Sequence, residues 1–223
     1  LMRENLIKLF KILDTKEEER DPYLEDDLNQ FPYVNGGLFS NENIEIPKFT
    51  SEIRNTLLAK ASDEFDWSEI SPTIFGAVFE STLNPETRRA GGMHYTSIEN
   101  IHKVIDPLFL NDLRERLNKA ESYKNEKTRK EELLKFQEYL GSLKFLDPAC
   151  GSGNFLTETY LSLRRLENEA LDVMQNGMMS LDFEGKIKVS IQQFYGIEIN
   201  DFAVKVAKTA LWIAESQMFQ ETK

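Results

Sequence analysis

Apolar residues recur at helical spacing over residues 3–13 (Arg-Glu-Asn-Leu-Ile-Lys-Leu-Phe-Lys-Ile-Leu), which predicts an opening helix. The charged stretch 14–30 reads as a surface linker with room for one helical turn. Residues 49–62 look helical and end at Ser62-Asp63. Ser71-Pro72 starts another helix, with proline at the tolerated first position, predicted to run to about Leu83 and stop at Asn84-Pro85. Thr96-Ser-Ile-Glu99 spells a capping box, so a helix is expected from there to Asp106, with a separate helix after Pro107. Residues 119–132 are almost all polar and predict a solvated helical surface with a turn near Asn125. Leu133 to Leu140 then pack back, and Gly141 is expected to end that helix.

Three places break the helical pattern. Asn35-Gly36, between apolar pairs in Phe31-Pro-Tyr-Val-Asn-Gly-Gly-Leu-Phe39, is a strong short hairpin signal and predicts a hairpin near 31–47. Residues 143–147 (Leu-Lys-Phe-Leu-Asp) read as a short buried strand, followed by a Gly-Ser-Gly turn. A long amphipathic helix comes next, with Leu156, Tyr160, Leu163, Leu166 and Ala170 on its apolar face and a break at Asn176-Gly177. A second strand is placed at 194–199 (Phe-Tyr-Gly-Ile-Glu-Ile). Asn200-Asp201 then caps a last helix with Val204, Ala207, Leu211, Ala214 and Met218 on one face. The order predicts an α/β chain that is predominantly helical. A helical region with one hairpin fills 1–90, and 91–223 contains the opening of a doubly wound domain.

Composition narrows the class. With 40% hydrophobic and 11% aromatic residues among 223, the chain can build a packed core. No apolar run approaches the roughly 18–20 residues that span a bilayer, so no membrane partner is expected. The single cysteine, Cys150, suits a reducing cytoplasm. The net charge of −11 opposes the footprint of a stand-alone DNA binder. His94 and His102 have no cysteine cluster near them, so no metal site is expected.

The run Asp147-Pro-Ala-Cys-Gly-Ser-Gly-Asn-Phe155 carries the chemistry. Strand, glycine turn and helix together let a backbone approach a nucleotide-like ligand. A dinucleotide site wants a third glycine where Leu156 stands. A phosphate loop wants Gly-Lys-Ser/Thr, whereas Asn154 and Phe155 follow Gly153. A short Gly-x-Gly without phosphate chemistry suits a ligand with a ribose and a zwitterionic amino-acid tail, such as S-adenosylmethionine.

These nine residues closely resemble the cofactor motif of the amino-methylating DNA methyltransferases, and among them the restriction–modification enzymes of the MmeI type. The resemblance extends from about Phe31 to the C-terminus. It implies a Rossmann-like, S-adenosylmethionine-dependent methyltransferase domain, incomplete in this chain. It implies that Asp147 meets the methionine ammonium and that Ala149, Gly151 and Gly153 line the cofactor. Phe155 packs near the adenine or in the core, Glu198 accepts the ribose hydroxyls, and Ile199 packs on the adenine. Glu198 lies farther from the glycines than the roughly 20 residues of a simple dinucleotide unit, which a long first helix and an insertion over 172–190 would explain. Gly92-Met-His-Tyr-Thr96 resembles the motif that covers the methionine end, through Tyr95 and Thr96; His94 departs from the usual Phe or Tyr.

The family's catalytic constellation, Asn/Asp-Pro-Pro-aromatic, would hold the amine of a flipped base. This sequence contains no Pro-Pro, so no catalytic residue is assigned and the chain is expected to be an internal piece of a larger prokaryotic enzyme. Double-stranded DNA would be held through other parts of that enzyme. An uncovered sheet would favour a dimer of the piece. Adenine N6 is the expected target; alternatives are cytosine N4, a protein amine, or a non-catalytic cofactor-binding role in a defence system. Cytosine ring-carbon methylation needs a nucleophilic cysteine, and Cys150 lies in the cofactor loop instead. Asp172 with Glu184-Gly-Lys186 only faintly resembles a nuclease triad.

Overall fold

The computed structural model describes residues 2–34, 39, 45–64, 66, 69–82, 96–175 and 187–222. The Asn35-Gly36 hairpin, the Asn84-Pro85 stop, Tyr95 and His94, the Asn176-Gly177 break and Glu184 lie outside the described residues. Contacts divide the chain into two compact units, Leu1–Ile70 and Ser71–Lys223.

The first unit holds α1 (Met2–Leu13), α2 (Asp26–Asn29) and α3 (Ser51–Leu58), the last extended by a wide turn over Ala59–Asp63. The Thr50 hydroxyl caps α3 by accepting the Ile53 N–H at 3.2 Å. The 14–30 stretch is more ordered than a linker, because Arg20 is buried within it. Its guanidinium donates to the Thr15 carbonyl at 3.2 Å and the Asn29 carbonyl at 3.0 Å, drawing the two ends of the stretch together. The Val34 N–H reaches back to the Leu13 carbonyl at 2.8 Å, and Phe39 stacks on Phe10 at 5.0 Å.

The second unit begins with α4 (Pro72–Thr82). It continues through α5 (Ile98–Ile105), α6 (Asn111–Glu121) and α7 (Glu126–Ser142), then β1 (Phe145–Asp147), α8 (Asn154–Gln175), β2 (Phe194–Gly196) and α9 (Asp201–Glu221). The two strands pair in parallel, Phe145 opposite Phe194 and Asp147 opposite Gly196. Phe145 and Phe194 stack at 5.3 Å on the inner face, and the Tyr160 ring meets Phe194 edge-on at 5.6 Å. The core continues through Leu117, Leu133 and Leu140 from α6 and α7 and through Leu211, Ala214 and Met218 from α9. Among the described residues no helix is long and apolar enough to cross a membrane.

Several local expectations need correction. The first strand is not buried: alternation turns Leu146 outward, 62% exposed, beside Tyr195 at 47%. The cap of α5 is Ser97, whose hydroxyl accepts from the Asn100 N–H at 3.4 Å, so Thr96 sits one residue before the cap. Glu99 pairs with Lys103 at 2.9 Å instead of closing a capping box. Pro107 does not separate two helices. A π-type segment over Asp106–Leu110 absorbs its missing N–H and carries α5 into α6.

Nor does Gly141 end α7, which reaches Ser142. A Cβ at Gly141 would lie 2.9 Å from Lys188 Cβ, so the glycine admits a crossing chain. The Gln193 amide instead donates to the carbonyls of Leu140, which also accepts the Leu143 N–H, and Leu143, both at 2.8 Å.

Candidate functional site at the glycine turn

The site forms where both strands end. The ladder continues one step past β1, with the Ile197 N–H donating to the Asp147 carbonyl at 2.9 Å and the Cys150 N–H to the Ile197 carbonyl at 3.1 Å. Between them the chain must turn within a few residues. Gly151 and Gly153 supply left-handed backbone, at φ 53° and 81°. The turn closes with the Gly153 N–H on the Cys150 carbonyl at 2.8 Å, and α8 starts when the Thr157 N–H bonds the Gly153 carbonyl at 2.8 Å.

The two glycines serve different ends. A Cβ at Gly151 would meet nothing within 4 Å, so the backbone there faces open space. A Cβ at Gly153 would lie 2.8 Å from Ala207 Cβ, so this residue is small to admit α9. That departs from the expectation that both glycines clear the same ligand.

Two carboxylates flank the turn. Asp147, half-buried at the end of β1, accepts the Ala149 N–H at 3.0 Å, while Ala149 itself is exposed. Glu198, half-buried just past β2, accepts the Gly151 N–H at 3.0 Å with one oxygen and the Asn200 N–H at 2.8 Å with the other. Sequence positions 47 apart thus meet by a charge-assisted hydrogen bond. Burial, reinforced by the charges of Asp147 and Glu198, pushes the Cys150 thiol up, which keeps it protonated and un-nucleophilic.

Phe155 is half-buried at the head of α8, Thr96 is half-buried before α5, and Ile199 is 91% exposed beside Glu198. The structure therefore gathers Asp147, Ala149, Gly151, Gly153, Phe155 and Glu198 around the strand ends, with Ile199 adjoining them. Asn200 begins α9 by accepting the N–H groups of Phe202 (3.0 Å) and Ala203 (3.2 Å), which fixes the direction in which the chain leaves the site.

Sequence reasoning missed the polar side of α8. The helix is buried almost all round, and Glu158, Arg164 and Glu167 are 2%, 0% and 0% exposed. Glu167 pairs with Arg164 and accepts from Gln137 at 2.8 Å and from the N–H groups of Lys188 (2.6 Å) and Val189 (3.2 Å). Such a cluster is stable because every buried charge is partnered. The only available signal was that Glu167 and Arg164 adjoin Leu163 and Leu166, expected core residues.

The second unit is a mostly helical domain with a small parallel sheet, of the methyltransferase class, and the chain as a whole superposes on a solved type IIL restriction–modification enzyme, MmeI, in complex with DNA. That likeness has a TM-score of 0.84 at 40% identity and covers 99% of this chain and 28% of the other. Residues 122–223 match the "MmeI, DNA-methyltransferase domain" family, and residues 1–39 match the "MmeI, helicase spacer domain" family. DNA methyltransferase A of Bacillus subtilis (strain 168) is 43% identical over 216 residues, 96% of this chain and 23% of that protein. The adenine-specific methyltransferase PglX of Streptomyces coelicolor is 32% identical over 72 residues, 32% of this chain and 5% of that protein. The chain belongs to the MmeI-type restriction–modification methyltransferases and spans about a quarter of the length of the first two of these relatives.

Proposed function

We propose that this chain is the S-adenosylmethionine-binding part of a prokaryotic, cytoplasmic DNA methyltransferase that modifies the exocyclic amine of adenine within a restriction–modification system. The stretch 91–223, within the second unit, is in this reading the opening of a Rossmann-like domain. One observation carries it: the carboxylates of Asp147 and Glu198, at the ends of neighbouring parallel strands, bracket a glycine turn whose Gly151 backbone is open to ligand. Ligands of open parallel sheets sit at such strand ends.

The chemistry of these groups fits the cofactor. Each carboxylate oxygen of Glu198 already takes one N–H and keeps a lone pair free for a ribose hydroxyl. Asp147 has a second oxygen for an ammonium group. When bound, the cofactor supplies an electrophilic methyl group on sulfur. The residues here bind and orient it; they contribute no nucleophile, in keeping with the raised thiol of Cys150. The relative names support DNA as the substrate of the whole protein and adenine as its base. The groups that hold the target amine come from a segment other than this one, since the chain has no Pro-Pro.

The test is calorimetric titration with S-adenosylmethionine of the chain and of its Asp147→Ala and Glu198→Ala variants. Each substitution is expected to weaken binding by about 1–3 kcal/mol, the scale of a lost charged hydrogen bond. Unchanged affinity in both variants rejects the site.

A further inference from the structure

Glu158 lies one helical turn beyond the glycine loop, its side chain 3% exposed, and no step of the proposed function uses it. Its carboxylate joins three helices. The Thr73 hydroxyl, from α4, donates to one oxygen at 2.9 Å. His102 Nε2, from α5, lies 3.3 Å from the other, and Arg165 of α8 approaches that same oxygen at 3.6 Å. The opposite ring nitrogen of His102, Nδ1, lies 2.7 Å from Asp106 Oδ1. Both ring nitrogens therefore face carboxylates, and only the imidazolium donates to both. The remaining charges on α5, Glu99 and Lys103, pair with each other.

Three residues after Thr73 on α4 comes Gly76. A Cβ there would lie 2.6 Å from Ser152 Oγ and 3.0 Å from Asn154 Oδ1. So α4 touches α8 and its loop twice, in register: at Glu158 through Thr73, and at the glycine turn itself through Gly76.

We propose that Glu158 is a positioning residue for the glycine-turn site: its buried carboxylate seats α4 and α5 on the first turns of α8, and α4 then braces Ser152 and Asn154 and so fixes the turn. The proposal rests on the turn being the cofactor site, and its test separates the two ideas. Burial alone would lower the affinity of His102 for its proton, but the hydrogen bonds and charges of Asp106 and Glu158 outweigh it, and the net shift is upward. The brace is therefore complete below the ordinary histidine range. It weakens as pH rises through the elevated value.

Amide hydrogen exchange on the full chain reads the turn directly, with protection factors corrected for intrinsic rates. Glu158→Gln keeps the shape but removes the charge, and His102→Gln removes the titration. At pH 6 each is expected to lower protection at the Gly151 and Gly153 amides about tenfold, corresponding to roughly 1.4 kcal/mol of local opening. In the wild type, protection at these amides falls as pH rises past the His102 transition, and the step disappears in His102→Gln. Glu169→Gln, which breaks an α8–α6 ion pair with Arg114, serves as the control and leaves the turn unchanged.

If Glu158→Gln and His102→Gln lower the melting temperature yet protect the turn as the control does, Glu158 is only a packing residue and the proposal fails. S-adenosylmethionine titrations of the same proteins form the second arm. Weaker binding in both variants and not in the control supports the proposal, and equal binding despite a loosened turn overturns it. No binding by the wild type rejects the cofactor reading, while the exchange data still decide whether Glu158 holds the turn.

Discussion

Substituting each glycine of the turn by alanine separates backbone strain from steric exclusion. Both residues have left-handed φ, 53° at Gly151 and 81° at Gly153, so alanine pays about 1–2 kcal/mol at either place. Alanine also stiffens the unfolded chain, which returns about 0.4–1 kcal/mol. The net loss at Gly151 is then about 1 kcal/mol, because the added methyl enters open space. At Gly153 the methyl would sit 2.8 Å from Ala207 Cβ and 3.1 Å from Ala207 Cα, so α9 itself must move. Overpacking of this kind adds about 1–3 kcal/mol, for a total of about 2–4 kcal/mol. Urea unfolding followed by far-ultraviolet circular dichroism measures both, compared through midpoints at a common slope. Calorimetry with S-adenosylmethionine adds the converse: Gly151→Ala folds well but binds poorly, since its methyl stands where the backbone was open. Equal stability losses, or a larger loss at Gly151, would refute the assignment of one glycine to packing and the other to ligand access.

Two further outcomes are expected. Glu167→Ala takes the carboxylate from the buried Arg164 guanidinium, which keeps the Thr222 hydroxyl, and removes the acceptor of three N–H donors, and should destabilise the second unit by about 3–5 kcal/mol in the same urea assay; adding Arg164→Met should recover part of that loss. Cys150, whose thiol is pushed up by burial and by the neighbouring carboxylates, should alkylate with a pH midpoint above that of the same thiol in the urea-unfolded chain; an equal or lower midpoint would show that the turn is not the shielded, anionic place described.

Much of the architecture was legible because it depends on neighbours in sequence. The apolar spacing of residues 3–13, the Asn125 turn and the Asn200 cap act within a few residues, and all three appear where the pattern put them. The strand–turn–helix at 145–154 was likewise written locally, since left-handed backbone selects glycine. The errors have a common origin. Thr96 was expected as the cap, but the helix starts one residue later, on Ser97. Gly141 looks like a helix stop, but it answers to Lys188, from another part of the chain.

By itself, then, the sequence determined most of the helices and both short strands among the described residues, and it marked the nine-residue run from Asp147 to Phe155, because dihedral preference and hydrophobic period are properties of short stretches. Only the tertiary structure decided what those residues face. It put Glu198 on the Gly151 amide, gave Gly153 to α9 and left Gly151 open, and drew Thr73, His102 and Glu158 into one buried junction across 85 and 56 positions. A carboxylate's partners are set by which helices pack beside it, and that packing is a sum over the whole core rather than a pattern in any one window.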